Sequence, residues 1–261
     1  MLKSYAKINI FLKITGKMLV DGTQYHALAS RFMLVENLFD CMEISLGAKE
    51  FQLLGNFDCE NEQNTIYKAY KALLPFVNSE KKEILSHLKV EVEKKIPSGA
   101  GLGGGSSNAG VFLRFINTNF ELNLSTQTLN KIASFVGSDV PFFASGEKIA
   151  NVSGRGEIIE SYKEAPFSVE IFYPQVHCDT KEVYQNYAKK FYKPSNKSWL
   201  NYTNTEILQN SPLQNNDLLQ SVLDLYPNLK EYANQGYFLS GSGSCFWQAK
   251  DTKNEVKSEI L

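Results

Sequence analysis

A run of glycines places the tightest constraint on how this chain can fold. Five of the seven residues in 99–105 are glycine. Glycine adopts positive φ angles at no steric cost and lets another backbone or a ligand approach closely. The apolar–polar alternation of 88–93 predicts a strand before the run, and the pattern of 106–117 predicts a helix after it. Backbone amides and a helix dipole at such a junction favour the binding of an anion.

Three interpretations of this glycine run compete. A Walker A loop ends in Gly-Lys-Ser/Thr, whereas residues 105–107 are Gly-Ser-Ser, so that loop is excluded. The spacing of Gly99, Gly101 and Gly104 matches the dinucleotide-binding pattern of a Rossmann fold, but the expected second strand with an acidic end is missing. A plain turn seldom needs five glycines. Phosphate binding by main-chain amides is therefore the favoured interpretation.

The remaining pattern predicts a mixed α+β fold. Apolar and polar residues alternate over 5–14, which predicts a strand with Lys7 and Asn9 side by side on one face. Strands are also predicted at 28–35, 42–46, 167–173 and on both sides of a Gly/Ser turn at 240–244, with helices at 64–74, 126–136 and 180–192. Residues 193–216 are predicted as loop with short helical pieces. Because the strands do not alternate strictly with helices, α+β is favoured over a parallel α/β sheet.

Charge and cysteine content exclude several classes of protein. The 27 Lys and Arg residues nearly balance 28 Asp and Glu, which leaves a net charge of −1 and argues against a nucleic-acid or membrane-surface partner. No apolar run approaches the roughly 18 residues of a membrane span. The four cysteines form no C-x-x-C motif. We therefore expect reduced thiols in a cytoplasmic protein, and the three isolated histidines give no support to a metal site.

Three motifs resemble those of the GHMP kinases. The phosphate-binding motif of that family is similar to residues 97–109, PSGAGLGGGSSNA. The N-terminal and C-terminal motifs of the family are similar to residues 6–12, AKINIFL, and 239–246, LSGSGSCF, in the same order. The resemblance implies a ribosomal-protein-S5-like domain at 1–157 that holds ATP and a ferredoxin-like domain at 158–261. The active site is then expected between the two domains.

Within the family, the resemblance is strongest to kinases that use ATP and Mg²⁺ to phosphorylate a cytidine diphosphate derivative of methylerythritol. Residues 6–9, 25–28 and 137–143 carry it. Phosphoryl transfer needs neutralised charge on the γ-phosphate and a hydroxyl aimed in line. A carboxylate near the hydroxyl can accept its proton, and a lysine can stabilise the developing negative charge. The resemblance implies these roles for Asp139 and Lys7. Taken alone, Lys7 would be interpreted as a solvated charge and Asp139 as a turn residue.

The resemblance also implies two sets of binding residues. The ATP phosphates are expected on Pro97, Gly99, Ala100, Gly101, Leu102, Gly103, Gly104, Gly105, Ser106 and Ser107. The small-molecule substrate is expected on Asn9, Tyr25, His26, Phe32 and Tyr184. Core packing is the alternative role for Phe32 and Tyr184. Two residues, Thr23 and Gln24, interrupt the family's Asp-Gly-Tyr-His pattern, and no carboxylate metal site is predicted, so a serine hydroxyl is the expected protein ligand of Mg²⁺.

Three other functions stay open on the sequence. A kinase of the same family could act on homoserine or mevalonate, although Tyr25 and His26 favour a substrate with a base. A non-catalytic nucleotide-binding regulator would be expected to lack Lys7 or Asp139. A Rossmann oxidoreductase would bind a nicotinamide cofactor instead of ATP.

Overall fold

Two long antiparallel strands form the centre of the larger of two sheets, β1 (Leu2–Val20) and β2 (Thr23–Leu46). The structure is a computed structural model that describes residues 1–20 and 22–250. Four further strands belong to this sheet: β3 (Gln52–Gly55), β4 (Leu88–Glu93), β5 (Ile149–Gly154) and β6 (Ile158–Ser161). The strand order is β3-β4-β2-β5-β6, and β1 pairs with β2 beside this path.

This sheet is mostly antiparallel. Among the described strands, only β3 and β4 pair in parallel. A Rossmann fold requires a parallel sheet, so the dinucleotide-binding alternative is wrong and the α+β prediction is confirmed. The strands predicted at 28–35 and 42–46 are two parts of the single strand β2. The sequence Asp-Gly-Thr-Gln at 21–24 predicts a loop, but β2 already begins at Thr23, and Asp21 lies outside the described residues.

Helices pack beside this sheet, largely where the sequence predicts them. They are α1 (Thr65–Leu73), α2 (Ser79–Ser86), α3 (Gly104–Asn119), α4 (Thr126–Val136) and α5 (Val140–Ser145), with 3-10 turns at Asn61–Gln63 and Leu74–Phe76. The Asn64 side chain caps α1 by accepting a hydrogen bond of 2.9 Å from the backbone of Ile66. Helix α3 begins two residues before the predicted start, directly after the left-handed residue Gly103.

A hydrophobic core joins these helices to the sheet. It contains apolar side chains of β2, β3 and β4 and of the inner faces of α1, α3 and α4: Met42, Leu53, Ile66, Leu73, Val90, Phe112 and Ile132. Burial of each large apolar side chain contributes about 1.5–3 kcal/mol. This core holds the start of α3, and with it the glycine run, at the edge of the sheet.

Strand β1 is buried on both faces, whereas its sequence suggests one buried face. Ala6, Ile8 and Ile10 are fully buried, but Lys7 and Asn9 are also only 3% and 2% exposed. Register shifts interrupt the pairing with β2 between Tyr5 and Ala6, between Asn9 and Phe11, and between Ile14 and Gly16. The interpretation of Lys7 as a solvated charge is therefore wrong, because the glycine run, Phe32 and Asp139 lie against its side chain.

The smaller sheet contains three antiparallel strands, β7 (Val169–Phe172), β8 (Phe238–Leu239) and β9 (Phe246–Ala249), in the order β7-β9-β8. The predicted hairpin around the Gly/Ser turn is confirmed as β8 and β9. The predicted helix at 180–192 is α6 (Thr180–Asn186), which continues as a π-helix over Tyr187–Phe191. None of the helices within the described ranges is long and apolar enough to cross a bilayer.

Short helices connect the rest of this region. They are α7 (Asn204–Leu208), α8 (Pro212–Asn215), α9 (Leu219–Leu225) and α10 (Lys230–Asn234), with 3-10 turns at Lys197–Asn201 and Pro227–Leu229. The prediction of short helical pieces within 193–216 is thus confirmed. A buried ion pair between Lys13 and Asp217 and a hydrogen bond of 2.7 Å from Ser195 N to Ile14 O attach this segment to β1.

The predicted boundary between residues 157 and 158 falls inside the larger sheet, since β6 pairs with β5. A boundary drawn by sheet membership would lie between β6 and β7. One hydrophobic cluster also contains Phe32 and Phe142 from the first part of the chain together with Val183, Leu219 and Phe246 from the second. The two-domain division therefore stays a prediction, and the two parts share a core.

Candidate active site

Two cavities meet at the glycine run. The larger has a volume of about 770 Å³ and lies between β1, β2 and α6. The smaller, of about 340 Å³, lies between the glycine run, Thr65 and Lys94. Gly101, Gly103 and Thr180 line both cavities. The arrangement can hold two ligands end to end.

The glycine run needs its glycines for geometric reasons. Gly99, Gly101 and Gly103 have φ angles of 65°, 74° and 69°, a region that favours glycine. A Cβ atom on Gly101 would overlap the carbonyl oxygen of Ser240. The Ser240 hydroxyl in turn donates a hydrogen bond of 2.9 Å to the Gly101 carbonyl. The run thus packs directly on the C-terminal Gly/Ser motif, and the two motifs form one wall of the site.

The structure brings most of the predicted ATP-binding residues to the smaller cavity. They are Pro97, Gly99, Ala100, Gly101, Gly103, Gly104, Gly105 and Ser106. Leu102 is not in this wall, because its side chain is buried and its carbonyl accepts a hydrogen bond of 2.9 Å from Lys7 N. Ser107 is also absent from the wall, and its buried hydroxyl has no hydrogen-bond partner among the described residues. Ser106 is the predicted serine that reaches the cavity.

Lys7 and Asp139 form an ion pair in the larger cavity. Lys7 Nζ lies 3.3 Å from Asp139 Oδ2, and the two side chains are 4% and 30% exposed. Lys7 Nζ also donates a hydrogen bond of 2.7 Å to Asn9 Oδ1 and lies 4.4 Å from the centre of the Phe32 ring. Asp139 precedes α5 and keeps its carboxylate accessible. A carboxylate held beside a buried cation can accept a proton from a hydroxyl in this cavity.

A short chain of hydrogen bonds fixes the Asn9 amide. Its Nδ2 donates to Ser30 Oγ over 2.9 Å, and the Ser30 hydroxyl donates to the Phe11 carbonyl. All three side chains lie at or near the register shift between β1 and β2. Because both ends of the amide are engaged, its oxygen faces Lys7. Asn9 therefore orients the ammonium group of Lys7 besides lining the cavity.

Aromatic rings form the far end of the larger cavity. The His26 ring lies 5.5 Å from the Tyr184 ring, at 34° between their planes, and Tyr25 is 39% exposed beside them. His26 Nε2 is buried with no hydrogen-bond partner among the described residues. Burial and the charge of Lys17 lower the pKa of His26, so its ring is neutral near pH 7. Burial and the Asp139 charge raise the pKa of Tyr184, which keeps its proton.

Phe32 and Tyr184 both pack against the core and line the larger cavity, so their predicted substrate-binding role stays a prediction. Phe32 is only 2% exposed and packs edge-on against Phe142 at 5.4 Å between ring centres, yet it also lines the larger cavity. Tyr184 is half-buried and lines the same cavity from α6. All five predicted substrate-binding residues thus lie in one cavity with Lys7 and Asp139.

Sequence reasoning misses the buried carboxylate that positions the glycine run. Asp40 is fully buried and accepts hydrogen bonds from Lys95 N at 2.6 Å and Ile96 N at 2.9 Å. It also pairs with Lys94 Nζ and accepts from Asn108 Nδ2 at 3.0 Å. It therefore ties β2 to the start of the run and to α3. An acidic residue inside an apolar strand is the one sequence feature that could have indicated it.

A protein cage for a metal ion does not fit this site. Within residues 1–20 and 22–250, no group of three or more His, Cys, Asp and Glu side chains could hold an ion. Mg²⁺ bound to a nucleotide usually takes phosphate oxygens, waters and only one or two protein ligands. The Ser106 hydroxyl at the smaller cavity could be such a protein ligand.

Comparisons with known proteins give one consistent result. Residues 64–147 match the GHMP kinases N-terminal domain. A 4-diphosphocytidyl-2-C-methyl-D-erythritol kinase of Sulfurimonas denitrificans is 42% identical over 265 residues. The match covers 97% of this chain and 97% of the relative. A protein with the same name from a Sulfurovum species is 44% identical, with 96% of this chain and 99% of the relative covered.

Solved structures agree with the sequence relatives. A crystal structure of 4-(cytidine 5'-diphospho)-2C-methyl-D-erythritol kinase superposes with a TM-score of 0.76 and 27% identity, over 96% of this chain and 90% of that chain. The Methanococcus jannaschii mevalonate kinase gives a TM-score of 0.64 at 15% identity, over 98% of this chain and 92% of that chain. The second likeness concerns the fold alone.

Proposed function

The chain belongs to the 4-diphosphocytidyl-2-C-methyl-D-erythritol kinases of the GHMP kinase family, and from this membership we propose how its two cavities divide the reaction. The enzyme transfers the γ-phosphoryl group of ATP to the 2-hydroxyl of 4-diphosphocytidyl-2-C-methyl-D-erythritol and releases ADP, in the non-mevalonate route to isoprenoid precursors. The observation that carries the assignment of roles is the Lys7–Asp139 ion pair, in a cavity that adjoins the glycine run.

The smaller cavity binds ATP in this proposal. Main-chain amides of the glycine run and the N-terminus of the 16-residue helix α3 point donors at the phosphates. Mg²⁺ would be held by phosphate oxygens and the Ser106 hydroxyl, and when bound it neutralises charge on the transferred group. Lys94 and Thr65 line the smaller cavity beside the glycine run and would contact the rest of the nucleotide.

The acceptor hydroxyl binds beside Asp139. The carboxylate accepts the hydroxyl proton while the oxygen forms a bond to the γ-phosphorus, and the bond to the β–γ bridging oxygen breaks. Lys7 pairs with Asp139 and stabilises negative charge that develops between the two cavities. Asn9 and Phe32 hold the ammonium group of Lys7 in place.

The cytidine end of the substrate binds at the aromatic end of the larger cavity. Tyr25 and Tyr184 offer ring faces for stacking on the base. The neutral His26 ring lines this cavity, and a ring nitrogen of a histidine can hydrogen-bond a pyrimidine edge. A small aliphatic substrate such as homoserine would leave these groups without partners. A cytoplasmic location is also proposed, supported by the four free cysteines and the need for ATP.

A substrate panel tests the proposal. ADP release would be measured with the cytidine compound, with its phosphorylated polyol portion lacking cytidine, with homoserine and with mevalonate. We expect turnover with the cytidine compound alone. Turnover with homoserine or mevalonate instead would overturn the substrate assignment, and tight ATP binding without any turnover would favour a regulator.

Two substitutions test the roles of the ion pair. Asp139→Asn and Lys7→Met should each lower kcat by at least about 100-fold, the lower range for removing general acid–base help. ATP affinity should change little, and both proteins should remain folded. Asp58→Asn, in an exposed loop, is the matched control for a lost carboxylate. A folded Asp139→Asn enzyme with wild-type kcat would disprove the role of Asp139 as base.

A further inference from the structure

We propose that Arg155 binds the diphosphate of the substrate and thereby selects for a nucleoside-diphosphate-linked acceptor. Arg155 lies in the turn between β5 and β6, outside every motif that carries the family resemblance, and it lines the larger cavity. The inference rests on the proposed function, because it takes the substrate's cytidine and hydroxyl ends as placed above.

Arg155 is half-buried, and its side chain has a buried donor without a protein acceptor. Its Nε is buried and makes no hydrogen bond among the described residues. No carboxylate in the described ranges forms an ion pair with it. The nearby Glu157 carboxylate accepts a hydrogen bond of 2.5 Å from Arg155 N instead. An unsatisfied buried cationic donor is costly, so an anionic ligand that reaches it would bind favourably.

The contacts of Arg155 and its turn reach both ends of the cavity. Its guanidinium carbon lies 5.0 Å from the centre of the Tyr25 ring, at the aromatic end. Its turn packs against the residue before Asp139, since a Cβ on Gly156 would overlap the Ser138 carbonyl oxygen. Arg155 thus contacts a proposed base-binding residue, while its turn packs beside the proposed catalytic Asp139. In the substrate, the diphosphate lies between cytidine and the acceptor hydroxyl.

The charge of the cavity agrees with an anionic ligand. Its described wall carries the cations Lys7, Arg155 and Lys181 and the single carboxylate of Asp139. Lys7 is engaged by Asp139 and Asn9, and Lys181 is exposed. Arg155 is therefore the cation with both the burial and the free donors to bind a phosphate. The planar guanidinium can donate two parallel hydrogen bonds to phosphate oxygens, which a lysine cannot.

Kinetics of Arg155→Gln and Arg155→Lys would test this assignment. For Arg155→Gln we expect the KM for the cytidine substrate to rise by at least about tenfold, the effect of losing about 1.4 kcal/mol of binding. The KM for ATP and kcat should change by less than about twofold, as for a lost ground-state contact. Arg155→Lys should recover part of the affinity for the cytidine substrate. A lysine keeps the positive charge but lacks the paired N–H donors of the guanidinium group.

Binding measurements would identify the part of the substrate that Arg155 contacts. Titration calorimetry with cytidine 5'-diphosphate, cytidine 5'-monophosphate and cytidine should show a large loss for the diphosphate in Arg155→Gln and no loss for cytidine. Arg114→Gln is the matched control, because Arg114 lies on α3 and lines a separate cavity. An equal loss for cytidine would mean that Arg155 only supports Tyr25, and would overturn the proposal.

The two proposals fail in different ways. If the wild-type enzyme does not phosphorylate the cytidine compound, the proposed function fails whatever Arg155 does. If the wild type does so and Arg155→Gln keeps the same KM and diphosphate affinity, only the role of Arg155 is disproved. A loss of ATP affinity equal to the loss of substrate affinity would also contradict it.

Discussion

Lys7 connects the glycine run with the proposed catalytic carboxylate. Its backbone N–H donates to the Leu102 carbonyl in the glycine run, and its ammonium group contacts Asp139 and Asn9. Burial of a lysine is costly unless its charge is paired and hydrogen-bonded. The Phe32 ring below the ammonium group adds a cation–π contact. These partners together offset the cost of burying the Lys7 side chain.

His26 should give the enzyme a pH-dependent stability with a defined sign. Its folded-state pKa is lowered below the ordinary value of 6.5 by burial and by Lys17. The unfolded chain therefore binds a proton at a higher pH than the folded chain does. The His26 contribution to stability is present above pH 6.5 and is lost as the pH falls through the lower folded-state pKa.

The measurement compares wild type with His26→Gln in urea unfolding at about pH 7.5 and about pH 5.5. The stability of the wild type relative to the variant should be smaller at the lower pH. Taking this difference removes the contribution of His87, whose pKa is raised by its hydrogen bonds to Ala48 and Glu83 and which titrates in both proteins. An unchanged or larger difference at the lower pH would contradict a lowered pKa.

At the scale of elements, the glycine run depends on contact with the C-terminal motif. Gly101→Ala should reduce turnover by at least about tenfold and destabilise the fold, because its Cβ would meet a backbone atom that cannot move aside. Gly236→Ala is the matched control. Its φ is 84°, but a Cβ there has open space, so it should cost about 1 kcal/mol in stability and leave turnover intact.

Urea midpoints and ADP release distinguish these outcomes. Equal effects of the two substitutions would mean that positive φ alone matters, and that the packing of the run against Ser240 does not. Full activity in a folded Gly101→Ala protein would contradict the close approach seen between the two motifs.

Asp40 connects three elements, so its loss should affect both stability and nucleotide binding. Asp40→Asn removes a buried charge that pairs with Lys94 and accepts two backbone hydrogen bonds. We expect a loss of about 3–5 kcal/mol, as for other broken buried pairs, and a higher KM for ATP. The exposed Asp58→Asn should change neither. An Asp40→Asn protein as stable as wild type would show that this network carries little energy.

Local pattern explains which elements could be predicted. Helices α1 and α4 follow from amphipathic spacing and from Asn64 and Ser125 as capping residues, which are all encoded within one segment. The glycine run, Lys7 and Asp139 could be assigned because the resemblance covers three separate motifs. The burial of Lys7 and the role of Asp40 depend on partners far along the chain, and alternation within a strand contains no information about them.

At the scale of the whole molecule, the segment 193–217 binds back onto β1. Lys13 and Asp217 form an ion pair whose side chains are only 8% and 12% exposed, and Asp217 also accepts from Ile14 N at 2.8 Å and Ser195 Oγ at 3.0 Å. On β2, the buried Arg31 donates to Asn204 at 2.8 Å and to the Leu200 carbonyl at 3.0 Å. The segment is thus part of the fold and not a loose insertion.

Asp217→Asn should therefore destabilise the whole chain, by about 3–5 kcal/mol, because Lys13 would be left buried without a counter-charge. Asp224→Asn is its control, since the Lys190–Asp224 pair is exposed and should contribute less than about 1 kcal/mol. Both variants would be measured by urea unfolding. Comparable losses of unfolding free energy in the two variants would mean that burial of the Lys13–Asp217 pair does not increase its contribution to stability.

The contacts of β1 also determine when this strand is covered during synthesis. Lys13 and Ile14 are among the first residues made, yet Ser195 and Asp217, which bond to them, are made late. At about 5–20 residues per second, the ribosome needs on the order of ten seconds or more to reach these partners. This part of β1 therefore lacks its partners until most of the chain has been made. Nascent chains released before that point would carry an uncovered β1, which would make them targets for chaperones and proteases.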